Sequence, residues 1–184
     1  MILETKNLLL KTVEMQDAES LHENYWKDII SSYNMLWKPT QKVEDAQKNL
    51  EYMLETTGSH LFTIIKRENQ QLIGFLSVTQ DEDDPKVIRN IGFGFASAEA
   101  HKGYGNEVLY NALEFCFNTL EANEVNISYL KAVGISHNIV DLFGFLPSDM
   151  GETQIRRKHT GEILDVVNMT TTRELWQTNR LKFS

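Results

Sequence analysis

Residues 104 to 120 carry the most regular pattern in the chain. Val108, Leu109, Ala112, Leu113, Cys116, Phe117 and Leu120 recur on one face at a helical period. A helix patterned this way must bury one side. Strand-like apolar runs stand before it, Val87 to Phe95, and after it, Val125 to Lys131. Strand, helix and strand in succession restrict the chain to a mixed α/β arrangement, because each element's apolar face needs another element to cover it.

The other segments extend this alternation. Asn7 to Val13 reads as a first strand, and Ala18, Leu21 and Tyr25 at helical spacing predict a helix over 15–25. Trp26 to Thr40 reads as irregular. Val43, Ala46, Leu50, Met53 and Leu54 predict a helix over 42–56, with Thr40 as its N-cap and Gly58 as its stop. His60–Lys66 and Leu72–Val78 form a strand pair around the polar turn Glu68–Gln71, and Asp81–Pro85 is an acidic loop. A short helix over 136–143 stops at Gly144. Gln154–Lys158 and Ile163–Thr171 flank His159–Glu162 as a closing hairpin, and a polar tail runs from Glu174 to Ser184. The order β-α-α-β-β-β-α-β-α-β-β describes a mixed sheet with helices on both faces, expected as one domain over 1–184.

Composition excludes several classes of function. One cysteine, Cys116, forbids an internal disulfide and a cysteine-based metal cluster, and no histidines pair at metal-ligand spacing. A reducing, cytoplasmic setting is the expectation. No apolar run of about 18 residues exists to span a membrane, and the first residues lack the order of a signal peptide. A formal net charge of −8 disfavours nucleic acid as a partner.

The chemistry-bearing stretch is Ala100-His101-Lys102-Gly103-Tyr104-Gly105-Asn106-Glu107. It leads from a strand into the opening of a helix, where backbone N–H groups are unpaired and the helix dipole is positive. Glycine lets a polyanion approach that turn, so it can cradle a pyrophosphate. The same glycines are also ordinary turn chemistry. Two glycines do not complete a dinucleotide fingerprint, and Asn106-Glu107 is not the Lys-Ser/Thr of a nucleotide P-loop.

This stretch resembles the acyl-CoA-binding signature of the GNAT superfamily of N-acetyltransferases, Arg/Gln-x-x-Gly-x-Gly/Ala. The nearest branch is that of ribosomal-protein N-terminal acetyltransferases (RimJ/RimL-like). Glu4–Lys11, Trp37-Lys38-Pro39 with Val43–Ala46, Asn90–Phe95, Gly103–Val108 and the segments from Arg156 to Trp176 resemble that branch in its order, across nearly the whole chain. The resemblance implies a GNAT-type, mostly antiparallel, splayed sheet. It also implies an enzyme that moves an acetyl group from acetyl-CoA to a primary amine, either a protein N-terminus or a small-molecule amine, by direct attack in a ternary complex. It assigns the pyrophosphate to the backbone of His101, Lys102, Gly103, Tyr104, Gly105 and Asn106. The pantetheine arm falls to the backbone of Phe93, Phe95 and Ala96, with an N–H at Phe95 or Ala96 near the thioester oxygen. It places Trp26, Tyr33 and Trp37 on a wall of the acceptor site and leaves Ser136 as proton donor, although Ser136 also reads as an N-cap. A monomer or homodimer is expected, with no metal.

The pattern departs at Ala100, where the signature has Arg or Gln, at Val133 in place of asparagine, and at Val140 in place of a tyrosine that protonates the leaving thiolate in many relatives. These changes keep a second reading open: an acyl-CoA-binding sensor or interaction module with little or no turnover. His22, His60 and His137 are candidate bases, and each also reads as an ordinary structural or solvated histidine.

Overall fold

Short apolar runs become strands where their peptide groups find a ladder, and each strand expected from the sequence does so. The structure is a computed structural model that describes residues 1–34, 37–56, 59–133 and 142–180. Its strands are β1 (Ile2–Glu4), β2 (Leu8–Thr12), β3 (His60–Lys66), β4 (Leu72–Gln80), β5 (Val87–Phe95), β6 (Glu124–Leu130), β7 (Leu146–Arg156) and β8 (Ile163–Thr172). The helices are α1 (Ala18–Leu21), α2 (Ile29–Asn34), α3 (Val43–Thr56), α4 (Tyr104–Glu114) and α5 (Arg173–Arg180). The hydrogen-bonded order is β1-β2-β3-β4-β5-β6-β8-β7, an open, mixed and mostly antiparallel sheet in which β5 and β6 run parallel. The chain divides into two compact units, Met1–Thr79 with Gly92–Asn111, and Gln80–Ile91 with Ala112–Ser184.

In the first unit β3 is buried on both faces. Leu61, Phe62, Thr63 and Ile64 are each at most 3% exposed, so the strand reads as a continuous apolar run rather than an alternating one. One core cluster joins Leu61, Leu72 and Phe75 of the sheet to Leu21, Tyr25 and Trp26 and to Ala46 and Leu50 of α3. The predicted helix over 15–25 is a 3₁₀ turn at Met15–Asp17, then α1, then a π turn at His22–Trp26. On a regular helix the neighbours Tyr25 and Trp26 diverge by about 100°. In the widened turn both are buried, at 0% and 4% exposed.

Two expectations in this unit are corrected. The stretch 26–40, expected to be irregular, holds α2, whose Ile29 and Ile30 are largely exposed and give no helical period to read. Thr40 is not the cap of α3. Its hydroxyl lies 2.7 Å from His22 Nδ1, and the Asp45 carboxylate instead accepts the N–H groups of Gln41 and Lys42 at 3.0 and 3.2 Å.

In the second unit β6 pairs with β8 over seven residues and β8 carries β7 on its other edge. A π turn at Phe115–Thr119 follows α4 and buries Phe115, Cys116 and Phe117 together. The expected polar tail is a further correction. Arg173–Arg180 is helical, and Trp176 is 1% exposed, with its ring centroid 6.4 Å from Phe117 and 5.7 Å from Phe143. One aromatic anchor suffices to dock a helix whose other side chains are mainly polar.

Trp176→Ala is expected to cost about 3–5 kcal/mol, since it removes a large buried ring and leaves a cavity. Urea unfolding measures this. A loss below about 1 kcal/mol would show that α5 is not docked through this ring.

Candidate active site

The candidate site lies in the first unit, where β5 ends and α4 begins. Along β5 the peptide groups alternate in direction. Ala96 donates its N–H to Ile73 O at 2.8 Å, and Gly92 O receives the Ser77 hydroxyl at 3.2 Å. Even-numbered peptides at this end therefore turn toward β4, and the N–H and C=O of Phe93 and Phe95 turn to the opposite edge. That edge has a short ladder only. Among the described residues, the β5–β6 register comprises Val87↔Glu124 and Ile88↔Val125. On the β4 side the approach is very close, for a Cβ built on Gly74 would lie 2.2 Å from Gly94 O. Position 74 on β4 thus requires glycine where it faces the end of β5.

Past β5 the chain makes a 3₁₀ turn at Ser97–Glu99 and enters α4 at Tyr104. Among the described residues, the backbone N–H groups of His101 to Asn106 have no hydrogen-bond acceptor. This is the donor-rich mouth expected of a helix without a side-chain cap. Two residues there have left-handed backbones, His101 at φ 61° and Gly103 at φ 85°. A Cβ built on Gly103 would meet nothing within 4 Å, so the space above that glycine is open. His101 adopts a conformation that a β-carbon disfavours. Phe93, Phe95 and Tyr104 form a half-buried aromatic run beside the mouth, with neighbouring centroids 6.0 and 6.2 Å apart.

Three carboxylates that sequence reasoning passed over hold this backbone in place. Glu107, in the first turn of α4, accepts the Thr5 hydroxyl at 2.6 Å, the Asn7 N–H at 3.0 Å and the Asn7 side-chain amide. Burial alone would raise its pKa, but these bonds and nearby Lys6 bring it below the ordinary carboxylate value. Glu99 lies between two ammonium groups, Lys66 at 3.3 Å and Lys102 at 2.9 Å. Asp28 stands just before α2. It accepts the N–H groups of Ile30 at 2.9 Å, Ser31 at 3.3 Å and Ser97 at 2.7 Å, and its Oδ2 lies 2.9 Å from the Ser31 hydroxyl. That hydroxyl is also 2.9 Å from Phe95 O. Burial acts to raise the Asp28 pKa, and the bonds from Ser97 and Ser31 overcome it, lowering the pKa from 3.8 to about 2.

Several sequence-predicted site residues sit elsewhere than expected. The Ala96 N–H is spent on Ile73 O and has no proton to offer a ligand. Trp26 is a core side chain packed on Phe75, with centroids 5.5 Å apart. Trp37 lies edge-on to Tyr25 at 5.3 Å and packs against the same core. Both tryptophans turn inward because a large aromatic ring gains most from burial. The Tyr33 side chain, Ser136, His137 and Val140 lie outside the described residues. His22 is 6% exposed, with its Nδ1 beside Thr40, and burial pushes the Cys116 thiol pKa far up. No group of three or more His, Cys, Asp or Glu that could hold a metal ion occurs among the described residues.

The sequence matches the family described as an acetyltransferase (GNAT) domain over residues 7–140. No curated protein matches it. Among solved structures, the chain is similar to an acetyltransferase (GNAT family) from Bacillus anthracis, with TM-score 0.75 and 18% identity over 95% of this chain and 99% of that one. It is also similar to a ribosomal-protein-S5-alanine acetyltransferase from Vibrio fischeri, with TM-score 0.71 and 13% identity over 96% and 98%. A third is a spermidine N-acetyltransferase from Vibrio cholerae in complex with CoA and spermine, with TM-score 0.76 and 14% identity over 94% and 99%. At these identities the likeness is one of fold.

Asp28→Asn is expected to lower stability by about 1 kcal/mol at neutral pH, the effect of the depressed pKa being reduced by solvent screening of a partly exposed carboxylate. The folded pKa is depressed, so the contribution is complete above about pH 4 and fades as pH falls toward about 2. Urea midpoints of both proteins across that range should converge on acidification, and a constant gap would count against the assignment. His101→Gly relieves a left-handed backbone and should stabilise by up to about 1 kcal/mol. A loss of similar size would show that the imidazole itself supports the loop.

Proposed function

The chain belongs to the GNAT family of acetyltransferases, and on that premise we propose that it acetylates a primary amine, with acetyl-CoA as donor. The observation that carries this reading is the run of N–H groups without acceptors from His101 to Asn106, beneath the open space at Gly103. A helix mouth of this kind suits a diphosphate, because several donors and the positive end of the dipole converge there. The outward peptide edge at Phe93 and Phe95 suits the pantetheine arm, whose amides can pair with a strand. The Phe95 N–H is the donor for the thioester oxygen, and Ala96 leaves that role. We read the whole chain as one acyltransferase domain, supported by a family match that runs through both compact units.

In the proposed transfer the neutral amine nitrogen attacks the thioester carbonyl. A C–N bond forms, the C–S bond breaks, CoA leaves as the thiol and the amine proton passes to a base or to water. Most of the acceleration then comes from proximity and orientation in the ternary complex. Ser136 stays in the proposal as proton donor. Two acceptor classes fit it: a protein N-terminus, as in the RimJ/RimL-like branch, and a small-molecule amine. The S5-alanine acetyltransferase and the spermidine acetyltransferase share this fold and stand for one class each. The second reading, an acyl-CoA-binding module without turnover, is favoured by Ala100, Val133 and Val140.

Gly103→Asp and Gly105→Asp each put bulk and negative charge into the cradle. Each should weaken acetyl-CoA binding by about 100-fold or more in calorimetry. Wild-type affinity in both variants would end the cradle assignment. CoA release should depend on an added amine when peptides with free N-termini, polyamines and aminoglycosides are screened. Tight CoA binding with no product from any of them would favour the module.

A further inference from the structure

Asp28, Ser31 and Ser97 form a closed hydrogen-bond cluster at the end of β5 that the transfer reaction above leaves without a role. The carboxylate takes three backbone N–H groups and lies beside one hydroxyl. The single Ser31 hydroxyl proton lies between this carboxylate and Phe95 O, so three backbone N–H groups and a shared hydroxyl engage Asp28 from the protein's own side. A carboxylate held this way is a structural acceptor, and no role as a general base is assigned to it.

A plain helix cap needs only the bonds to the first turn of its own helix, which Ile30 and Ser31 supply. The remaining contacts reach far along the chain. The Ser97 N–H is 69 residues from Asp28, and Phe95 O is 64 residues from the Ser31 hydroxyl that contacts it. One distant contact falls on the last residue of β5 and the other on the first residue of the 3₁₀ turn that follows, on either side of Ala96. Within a strand, the N–H and C=O of one residue leave toward the same edge. The Ser31 hydroxyl on Phe95 O thus bears on the same edge as the Phe95 N–H. On the other edge, Ala96 is held by Ile73 O. The end of β5 is clamped from both sides.

We infer that Asp28 is a positioning residue for acetyl transfer: through Ser31 and the Ser97 N–H it locks the end of β5 to the start of α2, so that the Phe95 N–H keeps a fixed aim. The inference rests on the acetyltransferase reading above, in which that N–H faces the thioester oxygen. It assigns Asp28 no contact with either substrate. Its effect belongs in the turnover step and not in the grip on the coenzyme, which lies with the helix mouth several residues further on.

Asp28→Asn offers an amide N–H₂ where Ser31 and Ser97 present donors, so the clamp opens. Ser31→Ala removes the hydroxyl and keeps the cap. Initial rates are measured with the best amine of the screen, alongside calorimetry with acetyl-CoA. Asp28→Asn should lower kcat by about 10- to 100-fold, the scale of a misaimed donor. Ser31→Ala should lower it by about 5- to 10-fold, with the double variant no worse than Asp28→Asn because both act in one network. Acetyl-CoA affinity should stay within about threefold of wild type in all three. If Asp28→Asn does not fold, Ser31→Ala decides the matter alone. Variants that lose thermal stability yet keep wild-type kcat and KM per folded molecule overturn the inference and leave the acetyltransferase reading intact. A wild-type protein that neither binds acetyl-CoA nor yields product overturns that reading, and the inference with it.

Discussion

A strand inside a protein has to satisfy its peptide groups on two edges, and β5 has ladder partners along one edge for most of its length. Its pairing with β6 ends at Ile88 and Val125, while the bonds at its far end run to β4. Bare N–H groups are costly when buried without a partner. A strand that keeps such an edge is suited to a ligand with its own amides. The same reasoning applies to the mouth of α4, where the chain turns through His101 and Gly103 and leaves its first donors without acceptors.

Holding a bare backbone in one shape falls to charged side chains around it. Glu107 ties the first turn of α4 to Thr5 and Asn7, Glu99 is held between Lys66 and Lys102, and Asp28 joins α2 to the end of β5. Each of these carboxylates is occupied by donors from the protein itself, and none has its pKa raised toward neutrality. General bases are tuned in the opposite direction. The chemistry that suits such a site is done by backbone donors and by placement, with acidic residues serving the geometry.

Packing in both units relies on widened helical turns. At His22–Trp26 and again at Phe115–Thr119 a π turn brings consecutive large side chains into the interior. Tyr25 with Trp26, and Phe115 with Cys116 and Phe117, fill core volume that a regular helix reaches with every third or fourth residue. In the first unit this puts Trp26 into the core, where Trp37 also packs. Trp26 and Trp37 are there packing residues, and α2 presents Ile29 and Ile30 outward.

What the sequence determined by itself is the set of locally encoded elements. Period-two and continuous apolar runs marked β2 to β6 and β8, the turn His159–Glu162 marked the last residues of β7, the helical period of Val108 to Leu120 marked α4, and the glycines at 103 and 105 marked its mouth. Each of these depends on residues close together in the chain. What only the tertiary structure decided depends on partners far apart. No local pattern told that Asp28 would meet Ser97, that Glu107 would meet Thr5, or that Gly74 would have to clear Gly94. Nor could a polar segment with a single tryptophan announce α5 before Phe117 and Phe143 made a place for that ring. The partner of the Ala96 N–H belonged to the fold as well, since a strand's two edges look alike in the sequence until one of them is paired with β4.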